Sequence, residues 1–157
     1  MNRFLLVFLA LGLMTLTYAG WWVFGRTMKQ EILAAQTKFI AAVEDRDWKE
    51  VQSMLTNDYM DEVGHDRETV ITDAERIFGS FITLTLNTEL VHLSAAMNQA
   101  TLQMKIRLEG QGLGLSPVVI AKTNALEGPW LFHWHKKGRW PWDWKIVQIH
   151  HAALYLQ

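Results

Sequence analysis

The sequence predicts an α+β fold in which an N-terminal transmembrane helix precedes three helices packed on an antiparallel sheet. Three features carry this. Residues 4–24 contain no charge, apolar residues between 31 and 78 recur at helical spacing, and beyond Ser80 the period drops to two. A chain of 157 residues supports one folded domain behind the membrane segment, giving 1–29 as anchor or signal and 30–157 as the domain. Half the residues are apolar and 20% are charged, which excludes a disordered chain. The absence of Cys removes disulfides, thiolate metal sites and cysteine nucleophiles from consideration.

The run from Phe4 to Phe24 is flanked by Arg3 on one side and by Arg26 and Lys29 on the other. At about 1.5 Å per residue such a helix crosses a hydrocarbon core of about 30 Å. Trp21, Trp22 and Phe24 extend the apolar run beyond Thr17-Tyr18-Ala19, where a signal peptidase would cut, and resemble an interfacial aromatic belt. The expectation is membrane attachment through residues 4–24 with the domain on the extracytoplasmic side; secretion after signal cleavage is the alternative. Flanking charges are balanced, so they do not themselves fix the orientation.

Without the first 29 residues, 12 basic and 16 acidic side chains remain, which argues against a nucleic-acid partner. Acidic residues concentrate in Glu44–Glu75 and basic ones in Lys105–Lys145, as expected for solvated helix faces opposite a sheet rim.

Ile32, Ala35, Phe39, Ile40 and Val43 form the stripe of a helix over 31–43. Asp47 and Glu50 have capping-box spacing before a short helix with Trp48, Val51, Met54 and Leu55 on its apolar face. Asp66 caps a third helix, in which Val70, Ile71, Ala74, Ile77 and Phe78 share a side and Gly79 lies near the end.

Ile82–Leu86 and Leu90–Leu93 read as two irregular strands, and Gln99–Glu109 alternates throughout as a half-buried one. Gly110, Gly112, Gly114 and Pro117 predict a flexible connection before Val118–Lys122; no strand-to-helix context or Lys-Ser/Thr pair makes it a phosphate loop.

Residues 129–148 hold five of the eight Trp and predict a hairpin. A turn through Lys136 and Lys137 with Gly138 left-handed pairs Trp134 with Trp140, Phe132 with Trp142 and Trp130 with Trp144, so that all the rings share one face. His133 and His135 then point outward. With no third ligand at a recognisable spacing, no metal site is expected, and no cofactor is implied. Continuing Trp142, Trp144, Ile146 and Gln148 by twos places His150 on the aromatic face.

Helix Phe39–Val43 running into Asp45-Arg46-Asp47-Trp48, the segment Leu55–Gly64 and the terminal Trp144-Lys145-Ile146-Val147-Gln148-Ile149 resemble the NTF2-like superfamily, also called ketosteroid isomerase-like or SnoaL-like, across about residues 31–151. The resemblance implies a cone whose curved sheet wraps the first helix and leaves a pocket between them. It also implies a homodimer through the outer sheet face. Enzymes and non-catalytic binding domains share that cone, and no motif of the family's enzymes matches here residue by residue.

The expected pocket is lined by Tyr59, Phe132, Trp134, Trp142, Trp144 and Gln148, with Asp61, Glu62 and His65 at its mouth. A binding or assembly module for an apolar small molecule or a protein partner ranks first, because enzymes acting on small diffusible substrates seldom need a tether. An isomerase, dehydratase or hydrolase using Asp61 or His150 as general base is the alternative. Solid packing of the rings would leave them as core alone.

Overall fold

The computed structural model describes residues 27–154 continuously, together with 11–15, 17, 20 and 25. The predicted anchor over residues 4–24 lies mostly outside the described residues. Among those described, no helix is long and apolar enough to cross a membrane.

Three helices lead, as expected. Helix α1 spans Met28–Glu44 and is longer at its start than its apolar stripe predicts, because Thr27 and Gln30 form a reciprocal capping box. Its buried side is Ile32, Gln36, Phe39, Ala42 and Val43. Helix α2, Trp48–Met54, starts at Asp47, whose carboxylate accepts from the Glu50 amide. Glu50 itself pairs with Lys38, so this cap is formed from the Asp47 side. Helix α3, Arg67–Phe78, is capped by Asp66 through the Thr69 amide, and Gly79 closes it. The amides around Thr69 hold the Asp66 carboxyl below its ordinary range.

Four antiparallel strands follow in the order β1-β2-β3-β4: Phe81–Ala96, Gln99–Gly112, Trp130–Lys136 and Trp144–His150. The two irregular strands expected over 82–93 are one, with register shifts between Phe81 and Thr83 and between Leu90 and His92. Those shifts are what broke the alternation in the sequence. Strand β2 alternates as expected, burying Ala100, Leu102, Met104 and Leu108.

The glycine-rich stretch is less of a connection than expected. Gly110 and Gly112 lie within β2, where a Cβ would collide with the carbonyl oxygens of Thr83 and Ser80. Residues 118–122 belong to helix α4, Ser116–Asn124, with Pro117 in its first turn. Asn124 ends that helix by accepting from the Leu108 amide at 2.7 Å and donating to the Leu108 carbonyl at 2.9 Å. It serves as a strand partner beyond the point where β3 stops.

The expected hairpin register is corrected. Lys136 pairs with Trp144 and Trp134 with Ile146, across a loop of residues 137–143. Pro141 has no N–H to give a ladder, and Asp143 folds the loop on itself by accepting from the Trp140 amide through its carboxylate and from the Lys137 amide through its carbonyl. Trp140 and Trp142 therefore leave the strand and stack on each other in the loop, 5.3 Å apart and within 4° of parallel. They are 48% and 62% exposed. Phe132, Trp134 and Trp144 do point inward and are buried, and Trp130 is half-buried.

A second correction concerns the end of β4. Ile146 opposes Trp134 but Gln148 opposes His133, leaving Val147 as an extra residue. The inward series Trp144, Ile146 thus continues as Ile149 and His151. Gln148 and His150 stand on the outer face, opposite His133 and Leu131. On its free edge β4 receives Leu55 in a parallel bridge with Ile146, and the Thr56 amide donates to the Ile146 carbonyl at 2.9 Å.

The core lies between α1 and the sheet. Phe39 sits edge-on to Phe132 and Trp134, with centroids at 6.0 and 6.4 Å. Glu44 accepts from the Leu86 amide at 2.6 Å, and Arg46 donates to the Phe81 and Ile82 carbonyls, fixing the end of α1 against β1.

Candidate functional site

The rings do not fill the space between helices and sheet. A cavity of about 540 Å³ opens there, a size usual for small-molecule sites. Its floor is Leu86, Ile106, Leu108 and Phe132 on the strands, and its walls are Phe39 and Val43 of α1, Val51 of α2, and Val70, Ile71, Ala74, Ile77 and Phe78 of α3. Trp130 and Ile149 close the side nearest the chain end.

Few polar side chains interrupt this lining. His151 is 1% exposed, and its ring lies 4.8 Å from that of Trp130. The Ala153 amide donates to His151 Nδ1 at 3.2 Å, which assigns the ring proton to Nε2. Nε2 is buried and has no hydrogen-bond partner among the described residues. A buried donor left unmatched costs about 1–3 kcal/mol, and an acceptor brought by a ligand removes that cost.

At the mouth, Asp61 accepts from the Val63 and His65 amides through Oδ1, at 3.0 and 2.8 Å, and its Oδ2 lies 3.2 Å from His65 Nδ1. The carboxylate thus organises the 61–65 turn and sits beside the imidazole of His65. Tyr59, which is buried, lines the cavity on the same side.

Of the pocket and mouth residues expected from sequence, Tyr59, Phe132, Asp61 and His65 line the cavity and Glu62 does not. Trp134 and Trp144 are buried in the core beyond it, and Trp142 is in the exposed loop. Gln148 and His150 are carried to the outer face by the extra residue at Val147. There His150 Nδ1 lies 2.7 Å from Glu62, and His133 Nδ1 lies 3.2 Å from the Thr101 hydroxyl. Burial, and then the charge of His150, push the His133 pKa down, against the weaker pull of Glu62. Among the described residues no group of three or more His, Asp or Glu is arranged to hold a metal.

The residue that the sequence reading missed is His151. Its only signal was adjacency to His150, and which of the two faces inward depends on a bulge that alternation does not reveal.

No family model matches this sequence, and neither does any curated protein. Solved structures do match in fold. Bd1075 of Bdellovibrio bacteriovorus aligns with a TM-score of 0.59 at 12% identity over 78% of this chain, which spans 40% of that protein's length. A protein of unknown function with a cystatin-like fold from Nostoc punctiforme aligns with a TM-score of 0.54 at 10% identity, over 77% of this chain and 86% of its own. An NTF2-like protein from Cytophaga hutchinsonii aligns with a TM-score of 0.53 at 14% identity, over 79% and 96%. At such identities the likeness is one of fold, and the fold is NTF2-like.

Proposed function

We propose that this NTF2-like fold serves as a membrane-tethered binding module whose cavity takes an apolar small molecule carrying one hydrogen-bond acceptor. The observation that carries the reading is the pairing of an apolar cavity of about 540 Å³ with the unmatched, buried Nε2–H of His151. Apolar walls supply affinity through area removed from water, and a single donor orients a carbonyl or hydroxyl oxygen. The tether is the uncharged run Phe4–Phe24, and the domain stands on the extracytoplasmic side.

Two fluorescent probes test the cavity: prodan, a naphthyl ketone, and phenylnaphthylamine, which has no carbonyl. His151→Phe weakens prodan about five- to tenfold, the worth of one hydrogen bond, and leaves phenylnaphthylamine unchanged. Equal binding of prodan to both proteins overturns the orienting role. For the tether, mass spectrometry of membrane-fraction protein finds the N-terminal peptide intact; a mature start at Gly20 makes the domain a secreted one.

One observation favours a second reading. Asp61 and His65 both line the cavity, and an imidazole beside a carboxylate is a general base suited to proton abstraction beside a carbonyl, as in an isomerase or dehydratase. That reading requires hydrogen exchange at the α-carbon of a bound ketone in D2O, seen by NMR and lost in His65→Ala.

A further inference from the structure

Three separate parts of the chain meet at one end of the sheet. The first is the β3–β4 loop, whose stacked Trp140 and Trp142 are exposed beside Lys137 and Arg139. The second is the β1–β2 turn, where Met97 is 85% exposed and Asn98 accepts from the Lys136 amide at 2.7 Å. The third is the start of α1, where Glu31 Oε2 accepts from Lys136 Nζ at 2.6 Å and from Trp144 Nε1 at 3.1 Å. In the sequence the uncharged run of residues 4–24 precedes this helix start, with only residues 25–30 between it and Glu31.

We infer that this end is a docking face for an anionic lipid bilayer. Indoles suit the headgroup region because they join a large apolar body to a polar N–H, and Met97 adds an apolar tip to the same face. The charges fit an anionic surface. Lys137 and Arg139 are exposed in the loop, and Lys136 lies behind them. Glu31 is taken up by Lys136, and Asp143 accepts from the Trp140 amide. Asp58 is close enough to Lys137 and His135 to feel their charge, and it is the acidic group that opposes docking. The short sequence separation between the N-terminal run and Glu31 selects a bilayer over an acidic protein, since a bilayer that holds residues 4–24 lies within six residues' reach of the helix start that Lys136 meets.

The face shares with the proposed function only the tether; the cavity plays no part in it. Because the chain has no Cys, Met97→Cys carries a single nitrobenzoxadiazole label without further changes. Gln111→Cys, at the far end of β2 and about 40 Å away at strand spacing, is the control. The full chain is mixed with vesicles of phosphatidylcholine alone, with vesicles also containing phosphatidylglycerol, and with lipid-free detergent micelles.

The label at 97 is expected to shift to the blue and resist aqueous iodide where phosphatidylglycerol is present, while the label at 111 stays open. Lys137→Glu with Arg139→Glu reduces the docked population on the order of fivefold or more per charge. Trp140→Ala with Trp142→Ala reduces it without changing the preference for phosphatidylglycerol. Equal iodide access at 97 in both vesicle types overturns the inference. So does equal protection in micelles, which means that protein covers the face. Flotation with phosphatidylcholine alone reads the tether separately, so failure of one does not imply failure of the other.

Discussion

The indole N–H of Trp134 donates to Oε1 of Gln36 at 3.0 Å, joining β3 to the first helix inside the core. Both residues are almost fully buried, and Gln36 Nε2 has no partner among the described residues. Gln36→Leu therefore strands the indole donor and costs about 1–3 kcal/mol. Pairing it with Trp134→Phe removes both polar groups, so urea denaturation gives a double variant less destabilised than the sum of the single changes. Strict additivity would mean that the bond contributes nothing.

Glu31 holds two donors from the β3–β4 hairpin on one oxygen, and both ends of its pair with Lys136 are largely shielded from water. Glu31→Ala leaves the ammonium and the Trp144 indole unmatched and is expected to cost about 3 kcal/mol in chemical denaturation. Glu31→Gln retains an acceptor and is milder. Near-ultraviolet circular dichroism reports the accompanying change around Trp144.

His133 on the outer face gives a pH dependence of known sign. The pKa of His133 is lowered in the folded chain, so between that value and 6.5 the unfolded chain binds more protons. The neutral form's contribution is present above pH 6.5 and declines as pH falls through the folded value. His133→Gln should flatten this part of the stability profile. A His133 titration by NMR at or above 6.5 would refute the assignment. Asp66 acts at lower pH: its depressed folded pKa gives stability present above 3.8 and lost as pH falls through the folded value.

Ala74 projects from α3 into the cavity lining. Ala74→Trp should occupy the volume and abolish binding of both naphthyl probes while the fold persists by circular dichroism. Unchanged binding would place the probes elsewhere.

Local signals in the sequence were strong for helices. Asp47 and Asp66 started α2 and α3 where their side chains accept the N3 amides, and the stripe over 31–43 identified α1. Alternation over 99–109 located β2, whose inward residues are aliphatic throughout. What failed was counting across irregularities. Pro141 and the Asp143 turn withdrew Trp140 and Trp142 from a strand that alternation alone extends through them. Residues 118–122 are apolar enough for a strand, yet they follow Pro117 into a helix that packs on β2. The candidate site was legible at Tyr59, Asp61, His65 and Phe132, which adjoin well-patterned elements. It was illegible at His151, which follows the bulge.

The unpaired Val147 makes the last strand a two-part ruler, even numbers inward up to Ile146 and odd numbers inward from Ile149. Chain parity, more than the identity of either imidazole, decides which histidine supplies the cavity's donor and which meets Glu62. Deleting that one residue would smooth the strand and leave both imidazoles where they are, whereas drawing Val147 into the ladder opposite His133 would exchange them, placing His150 behind Trp130 and turning His151 toward solvent.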